Sequence, residues 1–448
     1  MQLLRTILTV LALLIGIVSV VYIFWDGLSR IPETPISTEQ ASSFTGSFAL
    51  ACDADMVGTA YADGILNQLA DLEDSLLVFG YQNGERRQRA SLPVSNSVIS
   101  WPSILAWHPD RQLIAVAETK GQVSMEVQQM EDVWQEFPAG NKLQVVRWDG
   151  EHLEPRQNIQ TGGRDLQGPT WNSNRQILAV ASTQPSSEIM LWKVDSLSDL
   201  VSAGTVSLVD LWPEAPTGSQ VNALFFHPRK NLLVVNLNNT HLLLATLVRQ
   251  LDRWGIKPVA PPIEVAIQWS EGEWHQSGEF FILADVGWEE GPSGFVLNRK
   301  GHLVSVQCIE KEAPQIISKA KVGLSPEGMA LSPDGQYAVA VNMRRTYLPK
   351  SLSFVAGRIL SSLSLVRVQE SGELQTLGKE YGFPGALPED VLFDDNSNSL
   401  AVVVFHEQDL GNPRKGKLLF WELIEETLVR TELEETTGRG GHALLPLR

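Results

Sequence analysis

Cysteine is almost missing from this chain: Cys52 and Cys308 are the only two in 448 residues. No CxxC or CxxCH occurs, which excludes a thiolate metal knuckle and an attached c-type haem. GxSxG, Walker A and GxGxxG motifs are also absent, so neither a nucleophile elbow nor the usual phosphate cradles are encoded. Basic residues are scarce beside acidic ones, 35 against 52, and the formal charge is −17. An acidic surface without a Lys/Arg stripe repels phosphate backbones, so nucleic acid is not an expected partner. Low-complexity tracts and Gly/Ser or Pro runs are lacking, which argues against a large disordered region.

Long apolar runs are lacking too, with one exception. Residues 7–25 read ILTVLALLIGIVSVVYIFW, nineteen positions without a charge. About 20 apolar residues span a bilayer as a helix, and Tyr22, Phe24 and Trp25 crowd one end as interfacial aromatics do. A cleaved signal peptide is the rival reading, but its apolar core is shorter and a small-x-small site should follow closely. The sequence therefore predicts an uncleaved signal anchor over residues 1–25, a polar linker over 26–46 and an extracytoplasmic domain over 47–448.

That domain is repetitive. Six segments pair a turn with an apolar strand, among them AWHPDRQLIAVAE, TWNSNRQILAVAS and ALSPDGQYAVAVN. Their turn markers are His108, Asn172, His227, His275, Ser332 and Asp394, spaced 64, 55, 48, 57 and 62 residues apart. Repeats of about 40–60 residues holding several short strands mark a β-propeller. In the fifth repeat the strands are predicted over 327–331, 336–341, 362–368 and 374–379. Between the first two, Pro333 presets φ, Asp334 bonds its own backbone and Gly335 supplies positive φ. Six repeats need a closing partner. Residues 441–447 (GHALLPL) resemble an innermost strand, with 56–62, 74–79 and 87–94 as its partners, so a seventh blade from both chain ends is predicted. Residues 47–51 are the alternative inner strand. Cys52 and Cys308 then fall on nearly opposite sides of the ring, as two separate thiols.

The run Ser325-Pro326-Glu327-Gly328-Met329-Ala330-Leu331-Ser332-Pro333-Asp334-Gly335-Gln336-Tyr337 resembles the repeat of lactonase-like and YVTN-type seven-bladed propellers. WD repeats look less similar: only Trp148-Asp149 matches their dipeptide. The resemblance covers roughly residue 56 to the C-terminus and implies an all-β, seven-bladed propeller; with the apolar run 7–25 the whole chain is expected to be that propeller behind one transmembrane helix. The resemblance does not imply one reaction, because such folds host many functions.

Histidines at three turn markers (His108, His227, His275) lie in different blades, too far apart for a metal whose ligands sit about 2.0–2.2 Å from one point. They are read as turn-stabilising. The loops after the second strands open on one face and carry the candidate site: Glu118, Asp285, Asn342, Arg344, Arg345, His406 and Glu407, with Trp134 and Phe137 in the longest loop. Glu118, Asp285 and Asn342 are oxygen donors suited to a divalent cation. The function expected is a binding or scaffold module for a protein or small ligand on this loop face, with the membrane engaged through the N-terminal helix. The alternative is a lactonase-like hydrolase using metal-bound water at the channel mouth. A quinoprotein-type redox subunit is a weaker third, since no cysteine-based attachment site exists.

Overall fold

The second strand of each repeat is a run of small and branched residues. Leu113–Ala117, Ile177–Ala181 and Ser399–Val404 are buried at every position. A strand apolar on both faces needs cover on both sides, and sheets standing face to face around an axis provide it. The computed structural model describes residues 31–251, 253–289, 298–349, 360–407 and 413–448, with Leu13, Leu14 and Gly16. It contains seven sheets of four antiparallel strands, six of them built in sequence and the seventh from both ends of the domain, and one carries an extra short strand, Ile263–Glu264. The first strands of successive sheets touch in an unbroken ring, as a closed propeller requires.

Blade five runs outward as Pro326–Leu331, Tyr337–Asn342, Ser361–Val368 and Leu374–Phe383. These are the four strands read from the repeat, the outermost extended to Phe383. Alternation sends its side chains into two interfaces. Val339 and Val341 pack against blade six, with Val402 and Trp421. Ala338 and Ala340 pack against blade four, with Ile282 and Ala284. Seven such clusters, one per pair of neighbouring blades, make up most of the core. Three Trp residues near the ends of third strands take part: Trp148, Trp192 and Trp421.

The turn markers do the same work with different chemistry. The Ser332 hydroxyl accepts from Tyr337 N, 2.9 Å, and Asn172 Oδ1 from Ile177 N, 2.9 Å. His227 Nδ1 accepts from Arg229 N, 2.9 Å. The imidazoles also staple blades: His227 Nε2 bonds Gly278 O, 3.0 Å, and His275 Nε2 bonds Gly335 O, 3.1 Å. Gly335 has φ +72°, and a Cβ there would lie 2.4 Å from His275 Nε2. Glycine is needed for both reasons.

The chain ends close the ring. Gly441–Pro446 is the first strand of blade seven and pairs with Gly46–Cys52, Leu50 opposite Leu444. Ser75–Gln82 and Glu85–Pro93 complete the blade. Residues 56–62, expected as its second strand, are instead a turn leading into the one-turn helix Ala60–Asp63. Gly46–Cys52 takes that place because its last five residues are buried in sequence, as the other second strands are. The stretch predicted as a linker is docked from residue 31 onward. Thr34 N donates to Gly382 O and Ser37 N to Arg430 O, both 2.8 Å. Phe44 is buried against Phe48, Tyr81 and Phe420.

The predicted anchor, residues 7–25, lies outside the described residues except at Leu13, Leu14 and Gly16. Among the described residues no helix is long and apolar enough to cross a membrane. Cys52 and Cys308 are separate buried thiols, and burial pushes the Cys52 thiol up to about 12.

Leu50→Ala would open a cavity where the closing strand packs. We expect a loss of about 2–5 kcal/mol in urea unfolding, well above the cost of the same change at exposed Leu197.

Candidate functional site

An innermost strand has one edge with no strand beside it, and its amides need partners. In this ring side chains of the preceding blade supply several of them. Glu273 of blade four accepts from Leu331 N, 2.8 Å, and its neighbour Glu271 from Met329 N, 3.4 Å. Asp390 of blade six accepts from Leu444 N, 2.6 Å. The channel is therefore lined with carboxyl groups, and it is narrow: Ser103 of blade one reaches Glu271 of blade four at 3.3 Å.

Burial raises these groups above the usual carboxylate range. Glu273 rises to about 7, and Glu327 rises to about 8, with Asp390 adding repulsion. Glu271, Glu389 and Asp390 are also raised, through burial first and then through neighbouring acids.

At one mouth of the channel lies a cavity of about 520 Å³. Its walls combine three indoles (Trp101, Trp134 and Trp288) with carboxamides from blades two, three and four, including Gln167, Asn222 and Gln268. Trp101 Nε1 donates to Asn239 Oδ1 of blade three, 2.9 Å. Trp134 stacks obliquely on Tyr61, 5.0 Å between centroids. Asn222 Oδ1 is buried without a hydrogen-bond partner. A close ion pair borders the cavity: Lys120 Nζ lies 2.9 Å from Asp165 Oδ1, and Thr183 donates to Asp165 Oδ2, 2.7 Å.

An apolar collar holds the mouth together. Met130, Val133 and Phe137 of the long loop pack with Met343, Tyr347 and Leu348, and with Leu387 and Phe405. Loops after the second strands of blades one, five and six thus converge, joined by the 56–66 segment.

Of the residues chosen from sequence Trp134 lines the cavity, whereas Glu118, Asp285, Asn342, Arg344, Arg345, His406 and Glu407 do not and have other partners. The Glu118 carboxylate accepts from Ser95 Oγ, 2.6 Å, Lys142 Nζ, 2.8 Å, and Asn141 N, 3.2 Å. Asp285 Oδ1 accepts from Gly287 N and Gln268 N. Asn342 bonds Gly323 N and the hydroxyls of Ser362 and Ser364. The trio proposed for a cation is thus engaged locally, each member by its own surroundings. Arg344 pairs with Glu380, 2.8 Å. Burial alone would raise that carboxyl, but Arg344 and Lys300 pull it below its ordinary value. Arg345 donates to Asn298 O, 3.3 Å. His406 Nε2 accepts from Gly58 N, 3.1 Å, and burial lowers the ring to about 4, so it is neutral. Glu407 pairs with Lys417, 3.0 Å.

Among the described residues, the acidic group able to hold a metal is elsewhere: Asp53, Asp55 and Asp74, with oxygens within 4.8 Å of one another. Backbone amides already engage two of them, Val98 N on Asp53 and Ala54 N on Asp74.

The signal missed in the sequence lay five residues before each turn marker. Ser103, Gln167, Asn222, Ser270, Glu327 and Glu389 hold that place, all polar at the start of a channel-lining strand. Thr119, which borders the cavity, sits one residue beyond Glu118.

Comparison with known proteins fits this picture. No protein-family model and no curated protein matches the chain. Among solved structures, a periplasmic gluconolactonase of Pseudomonas aeruginosa is 14% identical at a TM-score of 0.60, covering 90% of this chain and 99% of that one. A Lactobacillus plantarum protein is 12% identical at 0.59, covering 90% and 100%. A putative 6-phosphogluconolactonase of Bacteroides uniformis is 13% identical at 0.55, covering 90% and 98%. The fold is that of the lactonase-like seven-bladed propellers. At these identities the likeness extends to architecture and no further.

The raised channel carboxyls set a pH dependence. Glu273 binds a proton in the folded state up to about 7 but loses it near 4.5 when unfolded. The folded state holds more protons in that window, so stability falls as pH rises through it. Glu273→Gln should flatten the decline, measured as Tm between pH 4 and 8.

Proposed function

We propose that the propeller is a recognition module whose site is the channel mouth and whose ligand is a small hydroxylated molecule of sugar type. The observation that carries this reading is the pairing of three indoles with a fringe of carboxamides around about 520 Å³. Indole faces cover the apolar C–H surface of a sugar ring, and amides exchange hydrogen bonds with its hydroxyls. Pockets of this size are typical of small-ligand sites. Asn222 Oδ1, buried and unpartnered, offers an acceptor at the cost of its own desolvation. In this reading residues 7–25 anchor the propeller at a membrane, on the extracytoplasmic side. A divalent cation on Glu118, Asp285 and Asn342 is not part of it, because their polar atoms are engaged locally.

A second reading has one observation in its favour. Lys120 and Asp165 form a largely buried ion pair beside the cavity. A carboxylate can take a proton from water attacking a lactone carbonyl, while an ammonium stabilises the oxyanion. The ring C–O bond then breaks and its oxygen is protonated, giving the open acid. The gluconolactonase among the structural neighbours makes a sugar lactone the substrate to try.

Binding of glucose and gluconate, followed by indole fluorescence and calorimetry, tests the first reading. Trp134→Ala removes an indole that is 45% exposed, so folding should survive. Affinity should fall about tenfold, near the 1–1.5 kcal/mol of one ring face. No binding by the unaltered protein would overturn the reading. For the second, turnover of glucono-lactone should drop at least about a hundredfold in Asp165→Asn, while ligand affinity changes little.

A further inference from the structure

The cavity narrows into a pocket lined by Tyr61, Trp101, Trp134, Trp288, Tyr347 and Glu327. The two spaces share all three indoles. Free volume in the pocket is about 10 Å³, room for one water-sized group. Next to Glu327 stand Glu389 and Asp390, with the hydroxyls of Tyr61 and Tyr347 in electrostatic reach. Glu389 is 1% exposed and its Oε2 has no hydrogen-bond partner.

Cations nearby face other groups. Arg439 acts on Asp53 and Asp55, and Arg345 on Tyr347. Among the described residues none compensates Glu327 or Glu389. Buried carboxyls without a counter-charge are costly to ionise. Aromatic faces around them attract cations through the ring quadrupole. Both features ask for the same guest.

We propose that this pocket takes the primary ammonium of a hydroxylated amine, an amino sugar in chemical class, whose body occupies the larger cavity. The inference rests on the recognition reading and names its ligand more closely. Size selects the primary amine, because one water's volume admits –NH3⁺ and not a trimethylammonium. Ring faces select an organic cation, because a hard metal ion needs an all-oxygen shell. Glu327, held near 8 when the pocket is empty, ionises as the ammonium enters. One carboxyl proton goes to solvent for each ammonium bound.

Calorimetry of the full chain with glucosamine and with glucose, at about pH 6 in buffers of different ionisation heat, tests this. Glucosamine should bind about tenfold tighter than glucose, as expected of one desolvated cation–π contact. About one proton should be released, and tetramethylammonium should not compete. Glu327→Gln replaces a carboxyl that is neutral in the empty pocket with an amide of the same shape and should fold, as melting will verify. It should abolish both the preference and the proton release. Equal affinity for the two sugars, with Trp134→Ala still weakening both, would leave the recognition reading standing and overturn this one. If neither sugar binds, both fall. Calcium binding lost in Glu327→Gln, without any glucosamine preference, would assign the pocket to a metal instead.

Discussion

Ring closure is the constraint on which this molecule depends. Seven sheets can share seven interfaces only if the last finds the first, and here the joint is a sheet shared by the two ends of the domain. Residues 441–446 lie beside residues 46–52, so a contact spanning nearly the whole chain must form before the two flanking clusters are complete. Such a contact carries a large loop-closure entropy. In return it leaves no blade with an uncovered face.

Closure has a chemical consequence at the centre. Bringing seven inner strands together exposes their free edges to one another instead of to bulk water. Side chains long enough to reach the next strand satisfy some of those amides, and in this chain several are acids. The same Glu271 and Asp390 that cap backbone donors also crowd each other electrostatically. Stability and acidity of the channel are thus two results of one arrangement. A solvated mouth above a reluctant set of acids is a place where a ligand's charge has leverage.

Much of this was legible in the sequence where the determinants are local. The Ser332-Pro333-Asp334-Gly335 turn fixes its own hairpin, and the four strands of blade five follow from it. The closing blade was half legible. The run 441–447 reads as an inner strand, but residues 47–51 carry the same apolar pattern whichever of two places they occupy. Only the topology decides between them. The converging loops were found by their place after the second strands, yet of the cavity's lining only Trp134 was named. Glu118, Asp285 and Asn342 end their strands and are held by their own surroundings. The ring of polar side chains sits at the opposite side of each turn marker, five residues earlier. Trp101 and Trp288 belong to connecting loops, where no period marks them.

The strapped segment from residue 31 to residue 45 has a geometric result. It follows the outer strands of blades five and six, bonding Gly382 and then Arg430. Whatever is attached ahead of it therefore departs from the circumference of the disc. Tension applied at residue 31 would meet first the segment's own bonds to Gly382 and Arg430, not those that join strands within a blade.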